Sequence, residues 1–140
     1  MKHLIVSALG VACSGIAYAL GGWDTSVITL LIFMGIDFIT GLIVGGVFHK
    51  SNKTNSGALQ SRAGWKGLCK KCVTILLVVV ASMLDVLLGS NYVRDAVCIA
   101  FILNETLSII ENAGLMGVPI PKVIKKAIDV LEAKENEIEK

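Results

Sequence analysis

The sequence is short of charged residues and of proline. Of its 140 residues, 17% are charged and two are proline, whereas 54% are hydrophobic. The mean hydropathy is +0.74. A water-soluble domain normally carries about 25% charged residues, so this composition excludes an ordinary soluble domain and leaves no length for a second one. Lipid is therefore the expected surrounding of most of the chain.

The sequence also lacks the residue patterns of an enzyme or a metal protein. It has no nucleophile paired with a base and no glycine-rich phosphate loop. The histidines, His3 and His49, are isolated, and Cys69 and Cys72 form a C-x-x-C without a second pair of ligands. We therefore expect a protein that has no catalytic residues, no cofactor and no bound metal.

Four apolar segments are long enough to cross a bilayer, because about 20 mostly apolar residues span roughly 30 Å of hydrocarbon. They are residues 4–23, 25–48, 72–89 and 96–115. The predicted fold class is an all-α integral membrane protein with four transmembrane helices, followed by a C-terminal amphipathic helix.

The segment between the second and third predicted spans, residues 49–71, is basic and contains no acid. Its charged residues are Lys50, Lys53, Arg62, Lys66, Lys70 and Lys71. Such loops stay in the cytoplasm, so we expect a multi-pass membrane protein with both termini inside. Orientation and contact with lipid headgroups account for these charges, so a nucleic-acid partner is not expected.

The amino terminus has two interpretations. Ala17-Tyr18-Ala19 resembles a signal-peptidase site, and residues 1–19 would then be a cleaved signal. However, the apolar run continues to Trp23, and Gly10 and Ser14 form a small-xxx-small pair suited to helix packing. Cleavage would leave the orientation of the remaining spans unchanged.

The second predicted span carries an acid at its midpoint beside a pair of glycines. Asp37 lies one helical turn before Gly41, and Gly41 and Gly45 form a G-x-x-x-G pair. Glycines at this spacing let two helix backbones approach closely, so Asp37 is expected to face a helix contact. It either serves a functional path or is a protonated acid hydrogen-bonded in a static bundle.

The fourth predicted span is apolar except for a polar stripe. The residues of this stripe are Asn104, Glu105, Ser108, Glu111 and Asn112. They fall on two neighbouring helical lines, at i, i+4 and i+7 from Asn104 and at i, i+3 and i+7 from Glu105. An ionisable group near the bilayer centre costs about 2.5–3.5 kcal/mol, so such groups usually face other helices or water. Together with Asp37, this stripe is the predicted pore-lining or switching set.

No lysine or arginine lies within any of the four predicted spans. On this basis the acids cannot be neutralised by ion pairs inside the spans. Each must then be protonated, hydrogen-bonded or in contact with water. Asp85, near the outer end of the third span, is expected to reach the headgroups or to pair with Arg94.

A second region follows the spans. Gly117-Val-Pro119-Ile-Pro121 ends the helical pattern and divides a membrane domain, residues 1–118, from residues 119–140. Apolar residues then recur on one helical face opposite lysines, which predicts a cytoplasmic amphipathic helix lying at the membrane surface, followed by a charged tail.

Four stretches of the chain resemble the phage holins of the toxin-secretion and phage-lysis type found in Gram-positive bacteria and their prophages. These stretches are residues 37–41, 61–71, 104–112 and 117–121. The last two are the most specific, and Cys69 departs from the arginine common at that place in the family. The resemblance implies a homo-oligomeric protein that opens lesions in the cytoplasmic membrane and lets an endolysin, or in some relatives a toxin, leave the cell.

A mechanism for such a lesion joins the resemblance to the buried acids. Copies would first pack their acidic faces inward, protonated and dry, and at high density would reorganise until Asp37 and Glu105 line water. Two alternatives stay open: a small-ion or proton-linked channel or transporter, and an antiholin-like membrane regulator. Passage of a folded protein separates a holin from a channel, and inducible killing separates it from a regulator.

Overall fold

The computed structural model describes residues 1–138 and Lys140, and these residues form five helices and no strand. The helices are α1 (Lys2–Ala19), α2 (Thr25–Gly46), α3 (Ser61–Leu88), α4 (Val93–Leu115) and α5 (Lys122–Ile138). The prediction of an all-helical protein is confirmed.

Local sequence signals fix the helix ends at the two short turns. Asp24 caps α2, because its side chain accepts a hydrogen bond from the backbone N–H of Val27 at 3.0 Å. Gly89 ends α3 in the left-handed conformation, with φ of 64°, and the N–H of Ser90 then bonds to the carbonyl of Asp85 at 2.9 Å. Both turns are therefore short and well defined.

Helix α4 lies at the centre of the bundle and packs against both α2 and α3. The buried apolar core lies between these three helices and the turn after α1; its members are Leu20, Val27, Leu30, Met34, Val78, Cys98 and Ile102. Helix α1 packs against α3 but has no buried residue of its own, so its apolar side chains face outward. Outward apolar surface of this kind suits contact with lipid.

The third helix begins earlier than the sequence predicts. Residues 61–71, assigned above to the basic loop, are the first turns of α3, so the connection after α2 reaches only to Gln60. The prediction from hydropathy was wrong here because hydropathy detects the lipid-spanning part of a helix, whereas lysine, arginine, leucine and alanine also extend a helix into water.

Within the described residues, three helices are long and apolar enough to cross a membrane: α1, α2 and α3. Helix α4 is not among them, and it carries four charged residues: Arg94, Asp95, Glu105 and Glu111. The prediction of four transmembrane helices therefore stays a prediction.

Helix α5 folds back beside α4. Ile128 of α5 is buried, and α5 packs on α4. Lys134 and Ile138 line the same cavity, of about 640 Å³, as Arg94 and Asp95 near the start of α4. The end of α5 thus lies beside the beginning of α4, and the two helices run in opposite directions.

Candidate functional site

Asp37 is the centre of a buried polar cluster between α2, α3 and α4. Only 6% of its surface is exposed. One carboxylate oxygen, Oδ1, accepts hydrogen bonds from Ser108 Oγ at 2.6 Å and from Asn112 Nδ2 at 3.1 Å. The other oxygen, Oδ2, accepts from Lys71 Nζ at 2.7 Å. Three donors from two other helices therefore hold this carboxylate.

Lys71 joins Asp37 to a second acid. Its Nζ also lies 2.5 Å from Oε2 of Glu105, which is itself 6% exposed. Each of α2, α3 and α4 thus contributes one charged residue to what we call the triad: Asp37, Lys71 and Glu105. Because two acids share one lysine, the triad carries one net negative charge when both acids are ionised.

The triad overturns the inference that ion pairs cannot neutralise the acids. Lys71 lies one residue before the predicted third span, but α3 runs through that boundary without interruption. The long methylene stem of lysine lets its ammonium group lie well away from its own Cα, and here it contacts Asp37 of α2 and Glu105 of α4. A search for lysine and arginine that was restricted to the predicted spans therefore did not find Lys71.

The polar stripe of α4 divides between two faces. Glu105, Ser108 and Asn112 face Asp37 and belong to the cluster. Asn104 and Glu111 are exposed; Asn104 lines a cavity, and Glu111 accepts a hydrogen bond from Asn52 at 2.6 Å. The structure therefore brings together the residues at i, i+3 and i+7 from Glu105. Asn104 and Glu111, which belong to the other predicted spacing, make none of these contacts.

The glycines of α2 lie at close contacts within the chain. A Cβ added to Gly41 would stand 3.8 Å from Asn112 Nδ2, and one added to Gly45 would stand 3.2 Å from Cα of Leu59. In α1, an added Cβ at Gly10 meets nothing within 4 Å, and Ser14 donates to the carbonyl of Gly10 at 2.9 Å. Thus Gly41 and Gly45 sit at contacts inside the protomer, whereas Gly10 and Ser14 face outward.

A cavity of about 580 Å³ lies beside the triad, between α2, α3, α4 and the loop that joins α2 to α3. Both acids of the triad line it, and so do four lysines: Lys53, Lys66, Lys70 and Lys71. The two other basic residues of the predicted loop, Lys50 and Arg62, are exposed and do not line it.

A second polar cluster ties the two short turns together. Arg94 donates from Nη1 to the carbonyl of Gly21 at 2.7 Å, and its Nη2 pairs with the carboxylate of Asp24. Asp85 accepts from the backbone N–H of Val93 at 3.0 Å and of Arg94 at 2.9 Å. The guanidinium of Arg94 thus bonds to Asp24, and Asp85 bonds to the main chain of α4 instead of reaching headgroups. The pairing of Asp24 with Arg94 was not predicted, although each is a charged residue in a predicted outer turn.

Comparison with known proteins supplies a family. The model of the bacteriophage holin family matches residues 14–133. An uncharacterized protein of Clostridium perfringens is 36% identical over 137 residues, which are 95% of this chain and 96% of that protein. An uncharacterized protein of Listeria monocytogenes is 37% identical over 123 residues, covering 87% of this chain and 82% of that one. A protein of Bacillus phage phi105 named as a probable holin is 35% identical over 109 residues, covering 77% and 75%. No solved structure matches the chain.

Proposed function

Because this chain belongs to the bacteriophage holin family, we propose that it oligomerises in the bacterial cytoplasmic membrane and forms lesions that release an endolysin or a toxin. The family and the three candidate spans make the chain a membrane protein. The similar phage protein named as a probable holin supports the functional step. On this proposal the chain has no catalytic role of its own, and its functional partner is the exported protein.

The observation that carries the proposal is the triad inside a bundle of apolar helices. Two buried acids and one lysine are not needed to stabilise a membrane bundle, because ionisable groups in lipid are costly and usually functional. In the closed protomer the lysine offsets part of the charge. The remaining negative charge must be removed by a proton or solvated by water.

We propose that opening separates the members of the triad. As copies accumulate, contacts between protomers would replace contacts within each protomer. The face of α4 that carries Glu105 would then turn from Asp37 and Lys71 toward water. Wetting favours ionised acids, so the wet and the dry packing stabilise different states, and a change in protomer density can shift the balance. This replaces the dry, fully protonated closed state that the sequence suggested.

The experiment for the holin function uses a trapped endolysin. We expect induced expression of the chain to stop bacterial growth abruptly after a lag, and a co-expressed endolysin without its own export signal then to lyse the cells. Optical density and endolysin activity outside the cells measure the result, with the endolysin alone as the control. If ions and dye leak but endolysin never escapes at any expression level, the chain is a small-ion channel. If cells survive without leakage, an antiholin-like regulator is the better account.

The proposed topology has four crossings, by α1 to α4, with the loop after α2 and both termini in the cytoplasm. The acid-free basic segment supports this orientation. In this topology, α5 must separate from α4 when the protein is in the membrane. If α5 stayed beside a membrane-spanning α4, charged residues such as Lys125, Lys126 and Asp129 would lie in hydrocarbon. We therefore place α5 on the cytoplasmic surface, joined to α4 through residues 116–121.

Reporter fusions test this topology. Reporters at the amino terminus, near Asn55 and after Lys140 are expected to read cytoplasmic, and one near Asn91 is expected to read outside. A cytoplasmic signal at Asn91 would contradict four crossings. An outside signal after Lys140 would mean that α5 stays beside α4 across the membrane. A mature chain that begins at Leu20 would identify residues 1–19 as a cleaved signal.

A further inference from the structure

We propose that the cavity beside the triad binds the headgroup of an anionic phospholipid from the cytoplasmic leaflet. This site rests on the proposed orientation, which puts the loop after α2 on the cytoplasmic side. It does not depend on lesion formation. Its ligand class is a phosphodiester lipid with a net negative charge.

The charge of the cavity favours an anion. Four lysines and two acids line it, and both acids are bonded to Lys71. Among the described residues, Lys53, Lys66 and Lys70 form no salt bridge. Three of the lysines that line the cavity therefore have no acid partner within the described part of the chain, and each attracts a lipid phosphate at a membrane surface.

The start of α3 adds backbone donors at the same place. Within the described residues, the side chain of Gln60, which precedes α3, makes no capping bond, so N–H groups of the first turn lack this partner. Gln60, Ala63 and Gly64 all line the cavity. The amino-terminal end of a helix attracts anions through these free N–H groups and the helix dipole.

The shape of the cavity fits a lipid better than a small anion. Its volume of about 580 Å³ is far larger than one phosphate group needs, and its wall includes the apolar residues Phe38, Leu42 and Leu59. A Cβ added at Gly64 or Gly67 meets nothing within 4 Å, so this side of α3 leaves open space. A headgroup can contact the lysines of the lining while the start of an acyl chain contacts its apolar residues.

The test uses the purified full chain in detergent, titrated with phosphatidylglycerol or phosphatidylcholine and followed by native mass spectrometry. We expect the wild type to retain phosphatidylglycerol preferentially. Lys66→Gln/Lys70→Gln should weaken this retention by about tenfold or more. Lys50→Gln/Arg62→Gln removes the same charge from the same region outside the cavity, and should bind like the wild type. Gly67→Leu fills the open space without changing charge and should also weaken retention.

Three results would overturn the proposal. Equal retention of the two lipids would remove the anionic preference. Equal losses in both double variants would mean that the basic region adsorbs lipid by its total charge, without a site. Displacement of the lipid by soluble glycerol phosphate at a similar concentration would identify a small-anion site instead. Helix content by circular dichroism shows whether Gly67→Leu is folded, and the two double variants change exposed side chains only, so they test the proposal even if Gly67→Leu does not fold.

Discussion

Replacement of Lys71 by methionine is expected to bring lysis forward. Methionine fills a similar volume but leaves Asp37 and Glu105 without the cation they share. Removal of one partner of a buried ion pair typically destabilises a protein by about 3–5 kcal/mol, because the remaining charge stays uncompensated. Here the two carboxylates also lie close enough to bond to one nitrogen, at 2.7 and 2.5 Å, so they would repel each other. The substitution should therefore destabilise the closed packing by most of this free energy, and the open state by little of it.

The measurement is the time from induction to lysis at equal membrane abundance. Lys50→Met is the matched control, because Lys50 is exposed, does not line the cavity and forms no salt bridge in the described part of the chain. The triple variant Lys71→Met/Asp37→Asn/Glu105→Gln has no charge in the triad, and should accumulate more and lyse later than Lys71→Met. Wild-type timing in Lys71→Met would contradict a closing role for the ion pair. If Lys71→Met fails to accumulate and the triple variant fails equally, charge is not the cause.

Replacement of Glu105 by glutamine is expected to delay lysis or abolish it. Glutamine keeps the size of the side chain and removes the acid, so Asp37 and Lys71 remain as a neutral pair. Asp37 also keeps its bonds from Ser108 and Asn112, which involve no atom of Glu105. The variant therefore removes the net negative charge, which is costly to bury inside a membrane bundle, and stabilises the closed state.

Glu111→Gln is the control for this delay. Glu111 is on the same helix and undergoes the same chemical change, but it is exposed and bonded to Asn52. It should lyse on the wild-type schedule. If Glu105→Gln also lyses on schedule at equal membrane abundance, then ionisation of Glu105 does not drive opening. The cluster would then only stabilise the bundle through hydrogen bonds, and the bundle would open for another reason.

The helices of the fold were predictable because apolar windows of membrane length carry a strong signal. The start of α3 was not, since residues 61–71 are polar enough to read as a loop and yet continue the helix. The position of α5 could also not be predicted from the sequence. Its amphipathic pattern predicts that one face will be covered, and does not say whether α4 or the membrane surface will cover it.

The candidate site was predictable in part. Spacing on α4 put Glu105, Ser108 and Asn112 on one face, but it put Asn104, Ser108 and Glu111 on another with equal support. Only packing against α2 selects the first. Lys71 lies 34 residues from each of its two acids, so no local pattern could reveal the pairing. Periodicity describes one helix at a time, and the triad exists only where three helices meet.

The most direct test of the opening mechanism uses a cysteine that the chain already has. Cys98 is 0% exposed and lies seven residues before Glu105, on the same face of α4. The other cysteines, Cys13, Cys69 and Cys72, are exposed and can be replaced by serine. In that background, Cys98 reports whether the Glu105 face of α4 meets water.

The measurement is the modification of Cys98 by a small water-soluble thiol reagent, sampled before and after the onset of lysis. Cys98 is expected to stay unmodified until lysis begins and to be modified rapidly afterwards, with both events delayed together by Glu105→Gln. A Cys98 that stays unmodified while endolysin escapes would contradict the account, because the Glu105 face would then remain packed while the lesion opens elsewhere.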